Sequence, residues 1–181
     1  MLSHKLAILI ALISADRGQT LSLLDLDFLS ILPKKAIFVI LNQTKNSKPG
    51  KPLKKVVLPA FDECSKLCVK KTLECYIQKT KILRQPCCKW LFLSYLKPYK
   101  HVTSTTKARW IKLFLIKCGI TGFGAHSTHS ASTSCVFEAG LSVIDIMKTA
   151  HWSQQSTFSK FYKRHTVEGM FGRMVLQKSS I

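Results

Sequence analysis

Apolar and polar positions change their period several times along this chain, and each change marks an element. The run Leu6-Ala7-Ile8-Leu9-Ile10-Ala11-Leu12-Ile13 is continuously apolar but too short to span a bilayer, which takes roughly 20 residues. It reads as a buried helix continuing into Asp16-Arg17-Gly18-Gln19-Thr20-Leu21. The alternative is a signal peptide, because Lys5 precedes the run and Ser14-Ala15 follow it. Two short β-branched and aromatic runs, 36–41 and 53–59, are divided by Asn46-Ser47-Lys48-Pro49-Gly50 and predict a hairpin with a Pro-Gly turn. From 64 to 84, Leu67, Cys68, Leu73, Tyr76 and Ile77 alternate with lysines, the pattern of an amphipathic helix. Pro86 and Cys87-Cys88 break it. Trp90-Leu91-Phe92-Leu93 reads as a short buried segment and Lys97-Pro98-Tyr99-Lys100 as a basic loop.

Thr103 or Ser104 then caps a helix over 105–117, with Gly119 at the stop position. Its outward residues include Lys107, Arg109 and Lys112. A Ser/Ala-rich helix over 130–138 ends at Gly140, and Ser142 with Asp145 caps another over 143–149. If the first of these begins early enough to include them, His126 and His129 lie one turn apart and face the same side. Trp152 closes the second helix, 153–156 is a polar turn, and a last helix starting at Thr157 carries Tyr162. There is no internal repeat, low-complexity tract or linker. The fold class expected is α+β, a single domain over 1–181, mainly α-helical, with a small antiparallel β-sheet near the N-terminus.

Charge narrows the partners. Lys and Arg number 28 against 9 Asp and Glu in 181 residues, a formal net charge of +19. An excess of this size points to a polyanion, double-stranded DNA or another nucleic acid ahead of an acidic membrane surface. The plainer reading is a basic solvated surface. The seven cysteines are an odd number scattered through apolar segments, which favours reduced thiols over disulfides. Cys64 and Cys68 have no second pair at zinc spacing, so neither metal nor cofactor is expected.

The series His126, His129, Trp152, Tyr162 resembles the tyrosine recombinases, or phage-type integrases, of the kind carried by eukaryotic mobile elements. Their pattern is His-x-x-Arg, then His or Trp, then a nucleophilic Tyr. Three of the four match, and His129 stands where the second arginine belongs. The resemblance implies a recombinase catalytic domain without the family's separate N-terminal helical domain. It implies that Arg17 is the first catalytic arginine and that Lys45 protonates the leaving 5′-oxygen. It further implies a tetramer on DNA and a nuclear location in a eukaryote, cytoplasmic otherwise. On the residues alone, Arg17 reads as a helix-end cation, Lys45 as a solvated turn lysine, and Trp152 as a core aromatic beside Phe158 and Phe161.

The chemistry follows from the residue types. A tyrosine that cuts DNA attacks phosphorus through its phenol oxygen, giving a 3′-phosphotyrosine and a free 5′-hydroxyl. Negative charge builds on the nonbridging oxygens, so fixed cations and donors must face them. A guanidinium at Arg17 meets phosphate with two parallel bonds, and His126 moves a proton near neutral pH. The imidazole of His129 is shorter, lacks the two-pronged contact and carries no permanent charge. Losing one such donor typically costs on the order of 10²–10³ in rate. Two readings follow: a tyrosine recombinase active in DNA recombination and integration but impaired at His129, and a non-catalytic DNA-binding relic of a mobile element. A third, a secreted cysteine-containing protein, rests on residues 1–15 alone.

Overall fold

A single N-terminal helix forms the centre of the computed structural model, which describes residues 2–16, 18–41 and 53–150. This is α1, Leu2–Ser14, with Leu6, Ala7, Ile8, Ile10 and Ala11 buried. A helix apolar on nearly all sides needs neighbours on nearly all sides. It has them in α3 (Val69–Thr80), α4 (Ser104–Lys117), α5 (Ala125–Glu138) and strand β3 (Lys54–Pro59). The apolar run at 6–13 thus lies in a core helix, as the first of its two readings expected, but that helix does not continue through 16–21: it stops at Ser14, the chain turns at Ala15, and a separate short helix begins at Gly18. Among the described residues, no helix is long and apolar enough to cross a membrane.

A short helix α2, Gly18–Ser22, follows, and then an antiparallel sheet in the order β1-β2-β3. Strand β2, Lys35–Ile40, pairs with β3 in the register Ala36 opposite Leu58 and Phe38 opposite Val56. Ala36, Phe38, Ile40, Val56 and Leu58 are buried, so one face of the pair covers the core. These are the two strands that the runs at 36–41 and 53–59 predicted. Strand β1, Leu29–Leu32, was not expected. It is an edge strand whose last three residues are exposed, so it carries no alternating apolar signal.

The helix expected over 64–84 is shorter at its start. Residues 65–67 form a turn, Cys68 is extended, and α3 begins at Val69, followed by a 3-10 turn at Lys81–Leu83. Leu67 is exposed and does not belong to the buried stripe of Val69, Thr72, Leu73 and Tyr76. Arg84 then ties the helix end to the next segment, donating from Nη1 to the Trp90 carbonyl and from Nη2 to the Leu91 carbonyl, each at 2.7 Å. Leu91, Phe92 and Leu93 are buried as anticipated, and the Leu93 N–H donates to the Tyr76 hydroxyl at 3.1 Å.

The last helices carry their caps in sequence. Thr103 Oγ1 accepts from the Thr106 N–H at 3.2 Å and opens α4. Gly119, at φ 78°, lets the chain leave it in the left-handed region that favours glycine. Ser142 Oγ accepts from the Asp145 N–H at 3.1 Å and opens α6, Val143–Thr149.

Candidate functional site

The two histidines part company at the start of α5. Gly124 is extended and the helix begins at Ala125, with the Ser127 hydroxyl accepting from the Gly124 N–H at 3.4 Å. Both His126 and His129 are therefore helical, but they do not face the same side. Three residues along a helix leave two side chains about 60° apart, and the boundary between solvent and core falls in that interval. His126 is exposed, on the rim of a groove of about 840 Å³ between α1, α4 and α5 whose floor is largely apolar, with Ile8, Leu12, Phe114 and Leu115. His129 is only 3% exposed. Its Nδ1 is hydrogen-bonded to the carbonyl oxygen of Ala15. A carbonyl can only accept, so this nitrogen carries the proton.

Ala15 belongs to the turn between α1 and α2, and that turn is gripped from several directions. Ala15 itself has φ 48°, a conformation costing on the order of 1–3 kcal/mol in a residue other than glycine, which persists only where the surroundings enforce it. Ser14 Oγ donates to the Ile10 carbonyl at 2.8 Å and accepts from the Asp16 N–H at 3.2 Å. The Asp16 carboxylate is 5% exposed. It is ion-paired with Lys54 Nζ at the start of β3, and that ammonium also reaches Thr20 Oγ1 at 3.2 Å. From the far end of the chain, Ile146 and Ala150 of the α6 region pack against Ala15.

The geometry thus gathers His129, Lys54 and Ala150 around Ala15 and Asp16. Their neighbours in sequence are the residues singled out for chemistry: Arg17 follows Asp16, and Trp152 follows Ala150 by two. Arg17, Lys45, Trp152 and Tyr162 lie outside the described residues, as do the Pro49-Gly50 turn and the expected helix at 157. Of the two partners in this grip, Lys54 carries a signal in the sequence and Asp16 carries none. Lys54 alternates with Val56 and Leu58 on the inward face of β3, where a lysine needs a buried partner.

On α4, Arg109 and Lys112 are exposed, as expected of outward residues. Lys107 is a correction. It was expected to face outward with them but is 0% exposed, on the same helical face as Trp110 and Ile111. Its Nζ donates to the Val102 carbonyl, lies 3.4 Å from Ser22 Oγ and sits 5.8 Å from the centre of the Phe92 ring. Burial pushes its pKa down to about 8. Helical spacing carried the signal: Lys107, Trp110 and Ile111 fall at i, i+3 and i+4. Among the described residues, no three His, Cys, Asp or Glu gather as a metal-holding group.

No protein-family model matches this chain, and no curated protein matches it. Solved structures do. The chain superposes on the XerA recombinase with a TM-score of 0.66 at 18% identity, over 97% of its own length and 61% of that chain. The XerH site-specific recombinase bound to its difH substrate in a pre-cleavage complex gives 0.68 at 13% identity, over 88% and 42%. A lambda integrase dimer bound to a COC′ core site gives 0.56 at 15%, over 88% and 41%. The fold is that of a tyrosine-recombinase-like catalytic domain. The chain spans about half the length of the structures it resembles.

Proposed function

We propose that this chain is a duplex-DNA-binding domain of the site-specific recombinase class, whose capacity to break and rejoin DNA through Tyr162 is impaired at His129. The observation that carries the reading is the convergence on Ala15 and Asp16 of α5, β3 and the α6 region, which brings together the sequence neighbours of Arg17, His126 and Trp152. A net charge of +19 supplies the attraction to phosphate, with exposed Arg109 and Lys112 as contacts. In this reading Arg17 and His126 act on the scissile phosphate and Lys45 protonates the leaving oxygen. Trp152 contributes its indole N–H, and the domain assembles as a tetramer on its DNA.

The position of His129 supports the impairment. Its Nδ1 is committed to a backbone carbonyl, whereas an arginine there offers five donors and a permanent charge. The same commitment favours a second reading, a DNA-binding fold that no longer cuts. Incubation with a nicked suicide duplex followed by denaturing electrophoresis separates the two. A weak covalent adduct that disappears in Tyr162→Phe supports the impaired recombinase. Salt-dependent binding with no adduct, even after His129→Arg, supports the second. Binding insensitive to salt overturns both.

A further inference from the structure

Arg17 is preceded by two residues of the turn between α1 and α2 that are held by distant segments of the chain, and this arrangement points to a positioning device. His129 of α5 takes the Ala15 carbonyl, while Lys54 of β3 takes the Asp16 carboxylate. Thr20 of α2 completes the second grip: its Oγ1 lies 3.4 Å from Asp16 Oδ1 and 3.2 Å from Lys54 Nζ. The ammonium of Lys54 is therefore already neutralised by a buried carboxylate and shared with a hydroxyl. It is not a spare cation for DNA.

We infer that Lys54 and Asp16 form a positioning pair that presets the backbone from which Arg17 reaches a DNA phosphate, so that a lysine touching no phosphate governs one phosphate contact. The inference rests on the DNA-binding reading above and deepens it. Neither residue is a catalytic residue, since neither meets the reacting atoms. The pair works because Asp16 and Arg17 are joined by one peptide bond, which transmits any displacement of the carboxylate to the next residue. The Ser14 hydroxyl on the Asp16 N–H and the His129 ring on the Ala15 carbonyl remove the remaining freedom on the other side.

The sign of one substitution distinguishes positioning from bulk charge. Asp16→Asn makes the protein more basic, so charge alone demands tighter binding to DNA. Loss of the pair demands weaker binding. The measurement is fluorescence anisotropy of a labelled duplex of arbitrary sequence, titrated at several salt concentrations, with circular dichroism melting of every variant. The expected result is a several-fold loss of affinity in Asp16→Asn and Lys54→Met. Each also lowers the slope of log K against log salt by about 0.9, the value of one phosphate contact. Adding Arg17→Ala to either variant costs little more, and Lys54→Arg, which keeps the pair, binds like the natural protein.

Asp16→Asn binding as tightly as the natural protein or more so, with an unchanged slope, overturns the inference and leaves the DNA-binding reading standing. Natural protein that binds without salt dependence overturns both. Should the charge variants fail to fold, Thr20→Val removes two hydrogen bonds from the grip, those to Asp16 and Lys54, and no charge. A smaller loss of the same sign supports the pair, and undiminished binding by folded Thr20→Val overturns it.

Discussion

His129 and Ala15 stand 114 positions apart in sequence and are joined by a hydrogen bond from a ring nitrogen to a backbone carbonyl. That bond uses the imidazole for architecture, where the recombinase pattern uses a guanidinium for the transition state. His129→Arg restores a permanent cation able to hold Ala15 with one donor and extend others toward phosphate. The expected outcome is an increase in covalent adduct on a nicked suicide duplex on the order of 10²–10³. Tyr162→Phe in the same background removes the adduct entirely. Quantified adduct after a fixed incubation checks both.

Exposed and buried cations on α4 separate in the salt dependence of DNA binding. Arg109→Ala and Lys112→Ala each lower the slope of log K against log salt by about 0.9, since both side chains are exposed. Lys107→Met leaves the slope unchanged, although it removes the same formal charge. Anisotropy titrations on the three variants check this.

Lys107 also makes stability depend on pH. Its folded pKa, about 8, lies below its ordinary value of 10.5 because burial disfavours the ammonium. Between those values the unfolded chain binds more protons than the folded one, so stability rises with pH across that window. Below it the full penalty of burying the charge is present. The contribution amounts to up to about 3 kcal/mol, at about 1.4 kcal/mol per pKa unit. Urea denaturation of the natural protein and of Lys107→Met should therefore converge or reverse in order as pH rises from about 7 to about 10. Parallel profiles for the two proteins would show that the lysine stays charged in the core.

Leu6 lies at the centre of the core, 0% exposed. Leu6→Ala leaves a cavity on α1 and costs about 2–5 kcal/mol of stability. The exposed Leu12 on the same helix costs well under that when cut to alanine. Chemical denaturation of the two variants side by side checks the inward and outward faces of α1.

Legibility in the sequence followed the locality of each signal. Thr103, Ser142 with Asp145, and Gly119 announce the ends of α4 and α6 because caps involve neighbours in sequence. Phe38 and Val56 announce their strands because burial repeats every second residue. Strand β1 had no such repeat, and residues 64–68 carried apolar side chains that the helix does not use. His126 and His129 were legible as a pair but not in direction, since the line between core and solvent is drawn by α1, more than a hundred residues away. The grip of Lys54 on Asp16 is likewise a meeting of two distant segments. The inward phase of β3 predicts that Lys54 needs a partner, yet nothing local predicts which.

The place of α1 at the centre also sets an order of events during synthesis. Residues 2–14 leave the ribosome long before α4 and α5, two of the helices that surround them. Until residues 125–138 have emerged, the apolar surface of α1 lacks one of its final neighbours, and contacts of such long sequence separation form slowly. For that interval the nascent chain displays the kind of apolar helix that chaperones bind. A pulse-labelled chain stalled before residue 125 is accordingly expected to remain sensitive to protease along its first helix, and the full chain, once released, to become resistant there.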